Sequence, residues 1–93
     1  MPTQPLEKTE KVAKLYDPYK VLLHNDDHND VDHVMASLGK SVPQLSREEA
    51  QSITMEAHHS GVALVIACPL EHAEMYADRL KSFGLTSTIE KGS

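Results

Sequence analysis

Apolar residues along the chain follow two different spacings, and the changes of spacing divide the sequence into elements. Residues 19–24 are rich in Val, Leu and Tyr, which predicts a strand ending where the chain becomes Asn-Asp-Asp. Residues 62–68 form a continuous apolar run between Gly61 and Pro69, which predicts a second strand, covered on at least one face and central in its sheet. Residues 85–90 predict a short terminal strand.

Residues 31–40 have helical spacing, with apolar side chains recurring on one face. Asn29 or Asp30 is suited to cap the start of this helix, because a short polar side chain can accept a backbone N–H there. Gly39 and Pro43 are expected to end it.

Two more helices are predicted further along the chain. Ser46 and Glu49 form a capping box, so a helix begins there and stops at residues 60–61, Ser-Gly. Residues 70–83 alternate apolar and charged side chains with helical period, and Gly84 is the expected C-cap. The order β-α-α-β-α-β predicts an α+β sandwich, in which a three-stranded antiparallel sheet packs against three helices.

Length and composition predict one small domain with an N-terminal extension. The 93 residues accommodate a single core, assigned to residues 19–91. Residues 1–18 contain three prolines and alternating Lys and Glu, so they are expected to form a flexible extension. No apolar stretch suits a membrane span or a secretory signal, so we expect a soluble, intracellular chain that is complete from Met1.

Charge and residue types exclude several functions. The net charge of -5 and the scattered Lys and Arg residues disfavour nucleic acid as a partner. Six histidines lack the spacing of a zinc site, so no metal and no cofactor are expected. Cys68, the one cysteine, falls in a predicted buried strand, which argues against nucleophilic catalysis. Asp26 and His58 could form an acid–base pair, but without a nucleophile they are better suited to position a ligand.

The triplet Asn25, Asp26 and Asp27 gathers acceptor-bearing side chains at the end of an apolar strand. Such a cluster, followed at once by apolar residues, suits a ligand with a positive group attached to an apolar side chain. A peptide N-terminus beginning with a hydrophobic residue is such a ligand. Taken alone, the triplet is more typical of an ordinary turn or a helix cap.

Three motifs together resemble the ClpS family, the adaptors that deliver N-end-rule substrates to the Clp ATP-dependent protease. They are Tyr-Lys-Val-Leu-Leu-His-Asn-Asp-Asp at residues 19–27, Ala-His-His-Ser-Gly at residues 57–61 and Thr-Ser-Thr-Ile-Glu at residues 86–90. The resemblance covers roughly residues 17–91 without large gaps. Residues 56–68 are most similar to the cyanobacterial and plastid branch. The resemblance therefore implies a non-enzymatic adaptor, located in the bacterial cytosol or, alternatively, in the plastid stroma.

The resemblance also implies roles for particular residues. The α-amino group of the substrate would be bound by Asn25, Asp26 and His58. Its first side chain would enter a pocket formed by eight residues: Leu23, Asp27, Asn29, Val31, Val34, Thr54, Ala57 and Leu85.

Three pocket positions depart from the better-known bacterial pattern. Val31 and Thr54 stand where methionines are common in the family, and Ala57 stands where valine is common. The partners implied are N-terminal peptides with a bulky hydrophobic first residue and the N-domain of a Clp AAA+ unfoldase of the ClpC or ClpA type. Docking to the unfoldase would involve Glu71 and the region of Tyr76, where the lysine expected in the family is replaced.

Two other classes of function remain as alternatives. The same compact fold resembles the C-terminal domain of the ribosomal stalk protein, a structural module that docks partners through a helix face. A small acid–base enzyme is the third class. Peptide binding that is lost when the α-amino group is acetylated would select the adaptor, whereas binding indifferent to acetylation would favour the docking module.

Overall fold

The structure is a computed structural model that describes residues 17–92. It confirms the predicted order of elements and the antiparallel three-stranded sheet. The elements are β1 (Tyr19–His24), α1 (Val31–Ser41), α2 (Arg47–Ser60), β2 (Val62–Cys68), α3 (Leu70–Ser82) and β3 (Thr86–Lys91). Of the predicted N-terminal extension, residues 1–16 lie outside the described residues.

The sheet has the order β2-β1-β3, so β1 is the central strand and pairs antiparallel with both neighbours. The prediction that residues 62–68 form the central strand is therefore wrong. An apolar run specifies burial rather than neighbours, and here burial alternates along β2 because helices cover only one face of the sheet. Val62 and Leu64 lie on the open face and are 39% and 45% exposed.

Helix α1 extends further than the sequence indicates. Gly39 lies inside the helix rather than ending it, because a helical glycine costs only about 0.5–1 kcal/mol relative to alanine. The helix ends at Ser41, and the following Val42 leaves helical geometry, as is typical of a residue that precedes proline. At the other end, the Asp30 side chain accepts a hydrogen bond from the His33 backbone N–H and is the N-cap.

The capping box predicted for α2 is present. The Ser46 hydroxyl accepts from the Glu49 backbone N–H at 3.0 Å, and the Glu49 carboxylate accepts from the Ser46 backbone N–H at 2.9 Å. Gly61 ends this helix with a φ of 89°, a left-handed conformation that favours glycine. Helix α3 is capped by Phe83, one residue before the predicted Gly84, which itself has a φ of 83°.

The core lies between the covered face of the sheet and the three helices. Val21 and Leu23 of β1 pack there against Leu38 of α1 and Leu80 of α3, and all four side chains are almost fully buried. The end of β1 is also fixed to the end of α2, since the Asn25 N–H donates to the Gly61 carbonyl at 3.0 Å. The fold thereby brings the end of β1, the start of α1 and the end of α2 to one place.

Candidate peptide-binding site

A cavity opens where β1 ends, α1 begins, α2 ends and the chain enters β3. It holds about 330 Å³ of space, which includes the solvent in its open mouth. Buried apolar side chains form its interior, and polar side chains lie among the more exposed lining residues. Eleven residues line it: Leu23, His24, Asn25, Asp26, Asn29, Val31, Val34, Thr54, Ala57, His58 and Leu85.

The structure brings together ten of the eleven residues to which the family resemblance gives a role in binding a peptide N-terminus. The exception is Asp27, which is exposed and does not line the cavity. His24 does line it, although neither the residue pattern nor the resemblance assigns it a role. Its position directly before Asn25 was the available signal.

The Asp26 carboxylate is held in a fixed orientation by its own loop. Its Oδ1 accepts from the backbone N–H groups of His28 at 2.9 Å and Asn29 at 3.0 Å. The Asn29 side-chain Nδ2 donates to both carboxylate oxygens at 3.0 Å. Desolvation raises the pKa of Asp26, but these hydrogen bonds together outweigh it, and the pKa lies below its ordinary value. The carboxylate is therefore ionised at neutral pH.

Asn29 connects this carboxylate to the turn that precedes β3. Besides bonding Asp26, its Nδ2 donates to the Gly84 carbonyl at 2.9 Å. The Thr86 hydroxyl approaches Asp26 Oδ2 at 3.4 Å, which adds a weak contact with the start of β3. The loop after β1 and the turn before β3 are thus joined through one amide group.

Asn25 and His58 are exposed, and both line the cavity. Within residues 17–92 neither the Asn25 amide nor the His58 imidazole forms a side-chain hydrogen bond, and both groups line the cavity. The His58 ring lies edge-on to the His59 ring, with centroids 5.2 Å apart. A cationic group at the mouth of the cavity would meet acceptors from the loop after β1 and from α2 together.

The buried walls come from three elements and one turn. Val31 and Val34 belong to α1, Leu23 belongs to β1, and Leu85 follows α3. Thr54 belongs to α2 and is 3% exposed, yet its hydroxyl donates to the Ala50 carbonyl at 2.7 Å. That internal bond uses the hydroxyl proton within the helix, so the wall holds no unpaired donor at Thr54.

The residues predicted to dock the unfoldase lie on α3. Glu71 is exposed in the first turn of that helix. Tyr76 is half-buried against the core, and its hydroxyl accepts from Gln44 Nε2 at 2.7 Å. The Arg79 guanidinium lies 5.8 Å from the Tyr76 ring centroid. The Tyr76 side chain is therefore engaged with its own domain, whereas the Glu71 carboxylate faces solvent.

Metal binding and cysteine reactivity find little support among residues 17–92. No group of three or more His, Cys, Asp or Glu side chains in this range could hold a metal ion. The His24 ring bonds to the Thr88 hydroxyl at 2.7 Å. Desolvation raises the pKa of the half-buried Cys68 thiol, which disfavours the reactive thiolate. No helix in the described range is long and apolar enough to cross a bilayer.

An α+β domain with an ionised carboxylate at the edge of a cavity whose buried walls are largely apolar has the features of a ligand-binding domain, suited to a ligand that is cationic at one end and apolar at the other. Residues 14–88 match the family described as "ATP-dependent Clp protease adaptor protein ClpS". The chain belongs to the ClpS family, and it is an N-degron adaptor that delivers substrates to a Clp protease. The family is one of adaptors rather than of proteases.

The relatives place the chain in the cyanobacterial and plastid branch. It is 53% identical to the Clp protease adapter ClpS of Synechococcus sp. strain CC9902, over 87% of this chain and 78% of the relative. Identity to the Gloeobacter violaceus adapter is 47%, over 97% of both chains. Identity to the chloroplastic adapter of Chlamydomonas reinhardtii is also 47%, over 96% of this chain and 55% of that protein.

A solved structure has the same fold. Agrobacterium tumefaciens ClpS2 bound to L-phenylalaninamide matches with a TM-score of 0.75 at 30% identity. The match covers 81% of this chain and 96% of that chain.

Proposed function

We propose that this adaptor captures the free N-terminal residue of its substrates in the cavity described above. The α-amino group binds to Asn25, Asp26 and His58, and a bulky hydrophobic side chain enters the apolar interior. The observation that carries the proposal is the fixed, ionised Asp26 carboxylate beside an apolar cavity. The remaining side-chain contacts come from Leu23, Asn29, Val31, Val34, Thr54, Ala57 and Leu85, whereas Asp27 contributes only as a neighbouring charge.

The ligand of the Agrobacterium relative supports this chemistry. L-Phenylalaninamide carries a free α-amino group and an aromatic side chain, and it has no second residue. A ligand of that kind matches a site with acceptors at one end and apolar walls at the other. Hydrogen bonds to charged groups contribute about 1.5–3 kcal/mol each, so the amine contacts can supply much of the affinity for so small a ligand.

The test is a pair of peptides that begin with Phe and differ only in acetylation of the α-amino group. Fluorescence anisotropy with the full chain should show that the free peptide binds about 100-fold more tightly, since acetylation removes the charge and two N–H donors. Equal affinity for both peptides would refute amine capture and would favour a docking module that uses a helix face.

We also propose the partner and location. The unfoldase is a Clp AAA+ protein of the ClpC or ClpA type, and its N-domain contacts α3 through Glu71, which is exposed. Tyr76 supports that surface through its half-buried ring rather than through its hydroxyl, which already bonds Gln44. The chain acts without a cofactor, catalysis or nucleic acid, in a bacterial cytosol or a plastid stroma like those of its relatives.

The N-terminal extension is proposed to act in delivery rather than in binding. Residues 1–18 contain little apolar side chain to pack, and in the described part of the chain the cavity is lined by residues between Leu23 and Leu85. Deleting residues 1–15 should leave the affinity for a Phe-initiated peptide within about twofold of the full chain. Degradation of an N-degron protein by the complete Clp protease should slow markedly. A truncated protein that loses affinity for the isolated peptide would contradict this division.

A further inference from the structure

The turn between α3 and β3 is tied to the beginning of α1 by two side-chain donors. The Phe83 carbonyl lies 2.8 Å from His33 Nε2, and the Gly84 carbonyl lies 2.9 Å from Asn29 Nδ2. A carbonyl oxygen can only accept, so His33 Nε2 must carry the proton of that bond. Gly84 has a φ of 83°, which lets the chain reverse within this turn.

These two bonds are additional to the normal helix cap. The last turn of α3 is already closed by its own backbone, since the Phe83 N–H and the Leu85 N–H both donate to the Leu80 carbonyl. The donors of the extra bonds are only four residues apart. One is in the loop after β1 and the other is in the first turn of α1, which the Asp30 cap holds in place.

The tied turn leads directly into a wall of the cavity. Leu85 follows Gly84, is 4% exposed and lines the cavity. Val34 follows His33 and lines the same cavity from α1. The bond from His33 to Phe83 therefore joins the residue immediately before Val34 to the residue two positions before Leu85, and its length limits how far those two walls can separate.

We propose that His33 is a positioning residue that sets the width of the side-chain pocket and thereby the choice of the first substrate residue. This inference rests on the proposed function, because it assumes that the cavity holds that side chain. His33 acts through the Phe83–Leu85 turn and does not itself line the cavity.

Asn29 contacts both the amine-binding part of the site and the turn before β3, whereas, of these two, His33 contacts only the turn. The Asn29 amide bonds both the Asp26 carboxylate and the Gly84 carbonyl, so its loss disturbs amine binding and the wall together. The His33 ring bonds the turn without touching Asp26. Changes at His33 should therefore alter selectivity among first side chains and leave the recognition of the amine intact.

Two variants separate the hydrogen bond from the volume of the ring. His33→Leu keeps a bulky side chain and removes the donor. His33→Gln supplies an N–H donor of similar reach and serves as the matched control. Affinities are measured by anisotropy for peptides beginning with Phe and with Leu, each with a free and an acetylated amine, and thermal unfolding is recorded for each variant.

We expect His33→Leu to lower the affinity for the Phe-initiated peptide about three- to tenfold, the effect of one neutral hydrogen bond. The ratio of the affinities for the Phe and Leu peptides should shift at least twofold. The preference for free over acetylated peptide should stay within about twofold of the unmodified protein. His33→Gln should restore both the affinity and the ratio. An unchanged ratio in His33→Leu, or a Gln variant that folds normally but behaves like Leu, would overturn the proposal.

The protonation of the ring offers a test that needs no variant. Nitrogen-15 NMR of the full chain at pH 8 should show the neutral His33 ring protonated on Nε2. A ring protonated on Nδ1 instead would leave no donor for the Phe83 carbonyl and would overturn the proposal. If the unmodified protein fails to distinguish free from acetylated peptides, the proposed function fails, while the ring tautomer still decides whether His33 holds the turn.

Discussion

Replacing Asp26 with asparagine should weaken the binding of a free Phe-initiated peptide by about 10- to 100-fold, the worth of one hydrogen bond between charged groups. The carboxylate is the fixed anion beside the cavity, and an amide of the same shape carries no charge. Asparagine is preferable to alanine here, because its side-chain oxygen can still accept from the His28 and Asn29 backbone N–H groups that shape the loop. The acetylated peptide should bind Asp26→Asn and the original protein about equally.

Asp27→Asn is the matched control for that experiment. It removes the same charge from the neighbouring residue, which is exposed and does not line the cavity. Its effect on the free peptide should stay within about twofold, since exposed charges are strongly screened by solvent and salt. If Asp26→Asn and Asp27→Asn weaken binding equally, the amine responds to the general negative potential of the loop and not to a defined contact.

The pH dependence of binding follows from the same carboxylate. Hydrogen bonds hold the pKa of Asp26 below its ordinary value, so the group stays ionised as pH falls to about 5. The stability that these bonds add to the fold is fully present above the pKa that Asp26 has in the unfolded chain. It is lost as pH falls through the lower pKa that Asp26 has in the folded protein. Above about pH 5 Asp26 therefore adds no pH dependence to binding, and loss of the ligand's positive charge should lower the affinity as pH rises through the α-amino pKa of about 8.

Local sequence signals specified the elements of this fold well. The Ser46 and Glu49 capping box, the Asp30 cap and the glycine at position 61 are each read within a few residues of the chain, and the structure contains all three. The wrong assignment of the central strand has a different origin. Whether β1 or β2 lies in the middle depends on pairing between distant segments, and an apolar run such as residues 62–68 is compatible with either place.

The site, too, was predictable where short motifs define it and unpredictable where residues distant in sequence meet. The family motifs assigned the residues that surround the cavity, but they gave no indication that the Asn29 amide reaches Gly84 or that the His33 ring reaches Phe83. Asn29 and Gly84 are 55 residues apart in sequence, and His33 and Phe83 are 50 residues apart. Such bonds depend on how α1 and α3 are placed in the fold, and no single-sequence pattern encodes that placement. The roles of the lining residues in binding stay predictions until peptides are measured.

The second large effect concerns the identity of the first substrate residue. Val31, Thr54 and Ala57 line the cavity at positions where the family resemblance implies Met, Met and Val, so we expect these smaller side chains to leave more space inside it. A branched Leu side chain would leave part of that space empty, and each missing methyl-sized contact costs about 1 kcal/mol. A flat aromatic ring fills more of it. Peptides beginning with Phe, Tyr or Trp should therefore bind about fivefold or more tightly than one beginning with Leu.

Peptides beginning with Arg or Lys should bind weakest. The most deeply buried lining residues are Leu23, Thr54, Ala57 and Leu85, which offer no charge to pair with a second cation. Burying an unpaired charge there would cost far more than an under-packed Leu, and the loss should exceed about 100-fold relative to Phe.

The decisive measurement is a set of otherwise identical peptides beginning with Phe, Leu and Arg. The triple variant Val31→Met, Thr54→Met, Ala57→Val provides the matched comparison, because it restores the wall volume that the family commonly has. It should reduce the difference in affinity between the Phe and Leu peptides, because the larger side chains make new contacts with Leu and take space that an aromatic ring would need. A Leu peptide that binds the original protein as tightly as Phe would mean that neighbouring side chains have closed the extra space. Tight binding of the Arg peptide would require a second anion within the cavity. Asp26 could not be that anion, because its carboxylate already accepts from Asn29, which also donates to the Gly84 carbonyl.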